Sequence, residues 1–350
     1  MFSQWYSIIA FQLMILAALA ISQEGLATVV AQERSSNGET RVAKWKDDRT
    51  AAFLLMFDDS WPSHWQVAGP ELAKRSMIGT FYVCPGKGEY QKFAQEWEEK
   101  LWKEGMVYGD HTMTHKGVKD FQNADWEIGE CARIIRKISP GKPERLVSYA
   151  QPGVKPGEWN ISADVLAELL KKHHLIDRPP FTDHGAVYHL KTADEMLALA
   201  DKAIAKKEME YVVVHGVERI KPDWGYQDFW PLKQDVLLKL LDGLQERRDK
   251  GDLWITDHIS QHQYETERAT AAVKVLSVSE RLLRLELTCQ ADPQFYDQPL
   301  TLVTHVPPAW KKVRVTQGEK LSVVGAENGT VKFDALPGVG TIELREDSQR

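Results

Sequence analysis

Between Ala52 and Lys250 short apolar runs alternate with stretches of helical spacing, and this alternation limits the possible folds more than any other feature of the chain. Ala52–Phe57, Gly79–Val83, Met106–Tyr108, Leu146–Tyr149, Tyr211–Val214 and Leu253–Thr256 read as strands. Their runs are continuously apolar, the pattern of parallel strands covered on both faces. Between them, Val67–Arg75, Tyr90–Glu104, Asp125–Ile138, Ser162–His173, Thr192–Lys207 and Leu232–Lys250 carry helix formers at periodic spacing. The prediction is an α/β domain over residues 45–267. Local pattern leaves its closure open, because a barrel and an open doubly wound sheet share it.

After about Arg268 the period changes to two, as in Val273-Lys274-Val275, Leu283–Leu287, Val313-Arg314-Val315 and Thr341–Leu344, with the turn signal Asn328-Gly329 between strands. Residues 268–350 are therefore expected to form a small all-β, sandwich-like domain. At the other end, Ile8–Ile21 is apolar apart from Gln12 and leads through small residues to Val29-Val30-Ala31. That pattern predicts a signal peptide over 1–31, followed by a polar linker over 32–44. The stretch is shorter than the roughly 20 residues that span a bilayer. A secreted or periplasmic protein is expected, without a stable membrane span in the mature chain; an N-terminal anchor is the alternative.

With 350 residues and 43% apolar content, the chain can bury one large core, or one large and one small, without disulfides. Cys84, Cys131 and Cys289 are too few and scattered for a disulfide framework and read as small buried hydrophobes, with a Cys84–Cys131 bridge left open. The formal charge of −6 has no long like-charge blocks, which argues against nucleic acid as a partner.

The first strand ends directly in Asp58-Asp59-Ser60, where a parallel strand leaves the core. Neighbouring side chains on extended backbone point opposite ways, so one aspartate can face a metal and the other a water. Asp110-His111-Thr112-Met113-Thr114-His115 follows another strand, and histidines four apart on a helical turn can present two imidazoles to one divalent ion. The pair His258 and His262 has the same spacing, also follows a strand, and competes for the role. His215 closes the strand Tyr211–Val214, so three strand ends bring candidate groups to one rim. Of the aromatic residues near these rims, Trp224 and Tyr226, in a Gly/Pro loop after His215, are the expected sugar-binding platform.

Taken together, Phe57-Asp58-Asp59-Ser60, Gly79-Thr80-Phe81-Tyr82-Val83 and His111-Thr112-Met113-Thr114-His115 resemble the polysaccharide deacetylase family, also called NodB-homology or carbohydrate esterase family 4, from about Thr50 to Thr266. The resemblance implies a distorted (β/α) barrel. It implies Asp59, His111 and His115 as metal ligands, Asp58 as general base, His215 as general acid, and hydrolysis of N- or O-linked acetyl groups from an acetylated carbohydrate. One divalent ion is implied, with zinc favoured by the ligands and the family. The family's Arg-Pro-Pro-Tyr-like stretch, which supplies an arginine that orients the base, aligns here with Ser148-Tyr149-Ala150-Gln151-Pro152-Gly153, placing Ala150 at the arginine position. That substitution, together with the appended β domain, motivates a second reading, a catalytically weakened carbohydrate-binding protein on the same barrel.

Overall fold

The computed structural model describes residues 37–222 and 224–347, and within them fifteen strands fall into two sheets. The signal segment expected over 1–31 and the linker residues 32–36 lie outside the described residues. The linker reading is corrected further on, because β1 (Thr40–Val42) is a strand of the C-terminal sheet.

The α/β domain is built on β2 (Ala51–Phe57), β3 (Thr80–Val83), β4 (Val107–Asp110), β5 (Val147–Tyr149), β6 (Leu175–Asp177), β7 (Met209–Val214) and β8 (Leu253–Thr256). All pair in parallel, in the order β6-β5-β4-β3-β2-β7. β8 pairs with residues 51–54 of β2, while β3 takes Met56 and Phe57 of the same strand. Two partners sharing one strand make an irregular, curved sheet, the distorted barrel rather than the flat alternative.

Every residue of β2 is buried, and alternate side chains serve two cores. Phe53, Leu55 and Phe57 pack under the surrounding helices, whereas Leu54 and Met56 face the inside of the curve with Tyr82, Ala150, Tyr211 and Val213. Each such side chain contributes about 1.5–3 kcal/mol of burial, which is why the run is unbroken. The helices Phe121–Ile138, Ala163–Lys172, Ala193–Lys206 and Gln234–Asp249 fall within a few residues of their expected places. Two elements are additional to the expectation: β6, whose three residues are too short to show a period, and the helix His258–Thr270, which has few apolar positions.

The second sheet is antiparallel, with β9 (Ala272–Val278), β10 (Leu283–Thr288), β11 (Leu300–His305), β12 (Lys312–Gln317), β13 (Lys320–Glu327), β14 (Thr330–Ala335) and β15 (Thr341–Glu346). Its order is β1-β11-β14-β13-β12-β15-β10-β9. The sheet rolls until its edges meet, with Gly38, next to β1, against Val275 and Val278 of β9. Asn328 and Gly329 join β13 to β14 with φ of 50° and 70°, as a tight hairpin requires. Leu283, Leu285 and Leu287 of β10 point into one core, and that core also contains Trp45, Ala52, Trp254 and Tyr264. The β domain therefore packs at the end where β2 and β8 begin, opposite the rim where the strands end. No helix among the described residues is long and apolar enough to cross a membrane. All three cysteines are free, with Cys84 and Cys131 buried.

Candidate active site

β2 delivers Asp58 and Asp59 to the rim through a sharp turn. Asp59 and Ser60 have φ of 80° and 58°, and the Cys84 N–H donates to Ser60 Oγ at 2.7 Å, tying the turn to the end of β3. Two non-glycine residues in the left-handed region are costly, and such strain concentrates at functional sites.

The His111–His115 segment leaves β4 as a loop. Here the helical turn expected from the spacing gives way to left-handed residues at Thr112 and His115, with φ of 64° and 60°. Glu127, on the helix Phe121–Ile138, accepts from Thr114 N at 2.8 Å and from Thr114 Oγ1 at 2.6 Å, which holds the loop's shape. His111 Nδ1 donates to the Ala150 carbonyl at 2.8 Å, which leaves its Nε2 with a free lone pair.

That lone pair faces Asp59. Asp59 Oδ1 lies 3.3 Å from His111 Nε2 and 3.0 Å from His115 Nε2, yet this buried oxygen makes no aligned hydrogen bond. The three donor atoms lie within 4.8 Å of one another. Two imidazoles and one carboxylate oxygen around a common point fit a divalent ion with positions left for water and substrate. Burial opposes ionisation of Asp59, but His111, His115 and Lys87 outweigh it and hold its carboxyl well below the usual range.

Asp58 has a partner the sequence reading missed. Arg178, just past β6, forks onto it with Nη1 to Oδ1 at 2.7 Å and Nη2 to Oδ2 at 2.8 Å, both groups buried. The guanidinium sits 4.8 Å above the ring of Tyr82. Burial disfavours the Asp58 anion, but Arg178, His111 and His215 prevail and lower its pKa. Arg178-Pro179-Pro180-Phe181 is itself an Arg-Pro-Pro-aromatic stretch, one strand later than Ser148–Gly153. The alignment that put Ala150 in the arginine's place is corrected: Ala150 serves through its carbonyl, and Arg178 supplies the guanidinium.

His215 follows β7 and enters the same cavity. His64 fixes its backbone, with Nε2 donating to the His215 carbonyl at 2.6 Å, and Phe181, Tyr188 and Phe229 surround its ring. Burial lowers the His215 pKa against the pull of Asp58 and Asp59. The cavity, about 350 Å³, is lined by Asp58, Asp59, His111, His115, Arg178 and His215 on its polar side and by Phe181, Tyr188 and Phe229 on its apolar side.

The competing pair is separate from this centre. His258 is buried with Nδ1 against Ser148 Oγ at 2.7 Å, in a chain continued by Tyr82 OH at 2.7 Å, and His262 approaches Tyr296 OH at 3.4 Å. The expected platform residues also lie elsewhere. Trp224 packs on Phe93 and beneath Lys92, Tyr226 is exposed beside it, and neither lines the cavity.

Residues 46–173 match the family model described as polysaccharide deacetylase, bearing out the resemblance over that span, which stops short of Arg178 and His215. Among curated proteins the chain is similar to a gellan lyase of Bacillus sp, 22% identical over 341 residues. The alignment covers 89% of this chain but only 13% of that protein. Among solved structures, the peptidoglycan deacetylase PdaC of Bacillus subtilis is 17% identical, with 61% of this chain and 90% of that one covered and a TM-score of 0.40. A family 4 carbohydrate esterase from Streptomyces lividans is 15% identical, with 58% and 90% covered and a TM-score of 0.40.

Proposed function

From the premise that residues 46–173 carry a polysaccharide deacetylase domain, we propose that this protein hydrolyses N- or O-linked acetyl groups on a carbohydrate with the help of one divalent ion, preferably zinc. One observation carries the reading: the Asp59–His111–His115 cluster shares a cavity with an arginine-clamped Asp58 and with His215. Asp59, His111 and His115 would hold the ion, which when bound polarises a carbonyl and acidifies a water.

The remaining chemistry belongs to the chain's own groups. Asp58 is an anion at neutral pH, and the two bonds from Arg178 leave each oxygen further acceptor capacity for a water's proton. Arg178 also fixes the carboxylate's orientation, since a bidentate fork permits little rotation. Burial makes the His215 imidazolium a stronger acid than in water, suited to protonating a departing amine or alkoxide. Phe181, Tyr188 and Phe229 form the apolar side of the cavity. The binding-protein reading rested on Ala150 and on the appended β domain; Arg178 supplies the guanidinium that Ala150 lacks, and tight glycan binding without acetate release would favour that reading.

Acetate release from chitin oligomers, peptidoglycan, acetylxylan and gellan by the protein stripped of metal, and again after zinc is restored, tests the proposal. Release that returns with zinc supports it. Release unchanged by stripping, or by His111→Ala, refutes the metal-dependent mechanism. The apolar segment Ile8–Ile21 supports export, and N-terminal sequencing of the protein recovered outside the cytoplasm checks cleavage near Ala31.

A further inference from the structure

A buried line of polar groups runs through the inside of the curved sheet toward the candidate site. His258, the first residue of the helix His258–Thr270, has Nδ1 2.7 Å from Ser148 Oγ on β5, and Ser148 Oγ lies 2.7 Å from Tyr82 OH on β3. All three side chains are buried. The His258 backbone N–H donates to Thr80 Oγ1 at 3.1 Å, which ties the start of the helix to β3. Paired buried polar groups add little stability over apolar ones of the same shape, so stability alone does not account for the line.

The line ends at Arg178. Its guanidinium carbon sits 4.8 Å over the Tyr82 ring, and the same ring lies 6.3 Å from that of His111. Gly109 on β4 leaves room for the ring, because a Cβ there would come within 2.5 Å of Tyr82 Cδ1. The two bonds from Arg178 to Asp58 leave the fork free to tilt about its own axis, and a ring against the guanidinium restricts that tilt. Burial lowers the His258 pKa to about 3, so the imidazole is neutral and Nδ1 can accept the Ser148 proton. Ser148 then accepts from Tyr82, and a phenol that donates its proton has an electron-rich ring suited to a cation above it.

We propose that Tyr82, anchored through Ser148 by His258, is a positioning residue for Arg178, so that the second histidine pair serves the site by orienting the group that clamps Asp58. The effect on turnover rests on the deacetylase reading, whereas the arginine geometry can be measured without turnover. On the glycan from which the wild type releases most acetate, Tyr82→Leu should lower kcat about tenfold with KM and zinc content unchanged. Arg178→Ala and the double variant Arg178→Ala with Tyr82→Leu should both lose about 100-fold, since Tyr82 has nothing left to position. Tyr82→Phe, His258→Ala and the two combined should each lose only about threefold, because they cut one line. In nuclear magnetic resonance of the zinc-loaded full chain, isotope-labelled at its arginines, the Nη–H signals that vanish in Arg178→Lys belong to Arg178. They should be resolved and shifted upfield by the Tyr82 ring in the wild type, shifted in Tyr82→Phe, and merged by free rotation in Tyr82→Leu.

A loss of about 1,000-fold in the double variant would make Tyr82 independent of Arg178 and overturn the proposal. Loss of zinc in Tyr82→Leu would do the same by moving its role to His111. Should Tyr82→Leu not fold, unchanged Arg178 signals in both Tyr82→Phe and His258→Ala overturn it. Arg178 signals that depend on Tyr82 in a protein that releases no acetate leave the support standing and remove the hydrolase reading instead.

Discussion

Two histidine pairs with the same spacing leave strands of the same sheet, and they have opposite surroundings. His111 and His115 sit on a strained loop, with Ala150 fixing one ring and Asp59 facing both Nε2 atoms. His258 and His262 sit on a regular helix, where Ser148 occupies His258 Nδ1 and Tyr296 lies beside His262. Regular helix geometry brought two rings near each other without a third donor. The strained loop instead points two ring nitrogens at a carboxylate, so the neighbouring chain, rather than the four-residue interval, makes the candidate metal site.

The largest effect expected from breaking this contrast is at His111. Outer partners of a bound metal are worth about 10- to 100-fold in affinity, so removing a direct donor with His111→Ala should cost more, and acetate release should drop by about a thousandfold. Metal content after dialysis checks it. His258→Ala should keep wild-type zinc content, and loss of zinc there would invert the comparison.

Next in size is Arg178→Ala, which leaves the buried Asp58 carboxylate unpaired. A fall in kcat of about 100-fold and a loss of about 3 kcal/mol in urea-unfolding stability are expected, with zinc retained. Arg178→Lys should recover only part, because an ammonium lacks the planar fork. Full activity in Arg178→Ala would show that Asp58 needs no clamp.

A smaller, pH-dependent effect is expected at the buried histidines outside the candidate metal cluster. Burial lowers His64 to about 4 and His258 to about 3 from the ordinary 6.5. At these two sites the unfolded chain binds more protons than the folded one below pH 6.5, whereas burial raises Asp110 to about 8 and Glu267 to about 7 and acts in the opposite direction. The contribution of the two histidines falls as the pH drops from 6.5 toward 3, each removing at most about 1.4 kcal/mol for every pH unit crossed above its folded value. Urea midpoints measured across that window should therefore fall more, or rise less, with acidification in the wild type than in His258→Gln. An unchanged slope in that variant would mean that His258 does not carry the difference. The smallest change is expected at His262→Ala, within about 0.5 kcal/mol of wild type in urea unfolding, since its single polar contact is long.

Much of the molecule was legible in the chain. The continuous apolar run Ala52–Phe57 marked a strand buried on both faces, and the alternation Leu283, Leu285, Leu287 marked one buried on a single face. The paired aspartates at the end of β2 and His215 at the end of β7 were found because a strand end is a local signal. Arg178 carried a signal too, the Arg-Pro-Pro-Phe stretch, but it follows a three-residue strand too short to read, so the arginine was sought one strand early. Trp224 and Tyr226 drew attention by their Gly/Pro loop after His215, while the stacking of Tyr188 on Trp230 joins residues 42 positions apart that share no motif.

The chain by itself determined its periods, its order of elements and the residue types at each strand end, because these depend on neighbours within a few positions. Only the tertiary structure decided that β1 closes a sheet with strands more than 200 residues later, that Arg178 reaches Asp58 across 120 residues, and which histidine pair meets a carboxylate. Those outcomes rest on contacts between groups distant in the chain, which arise when the curved sheet brings its strand ends to one rim.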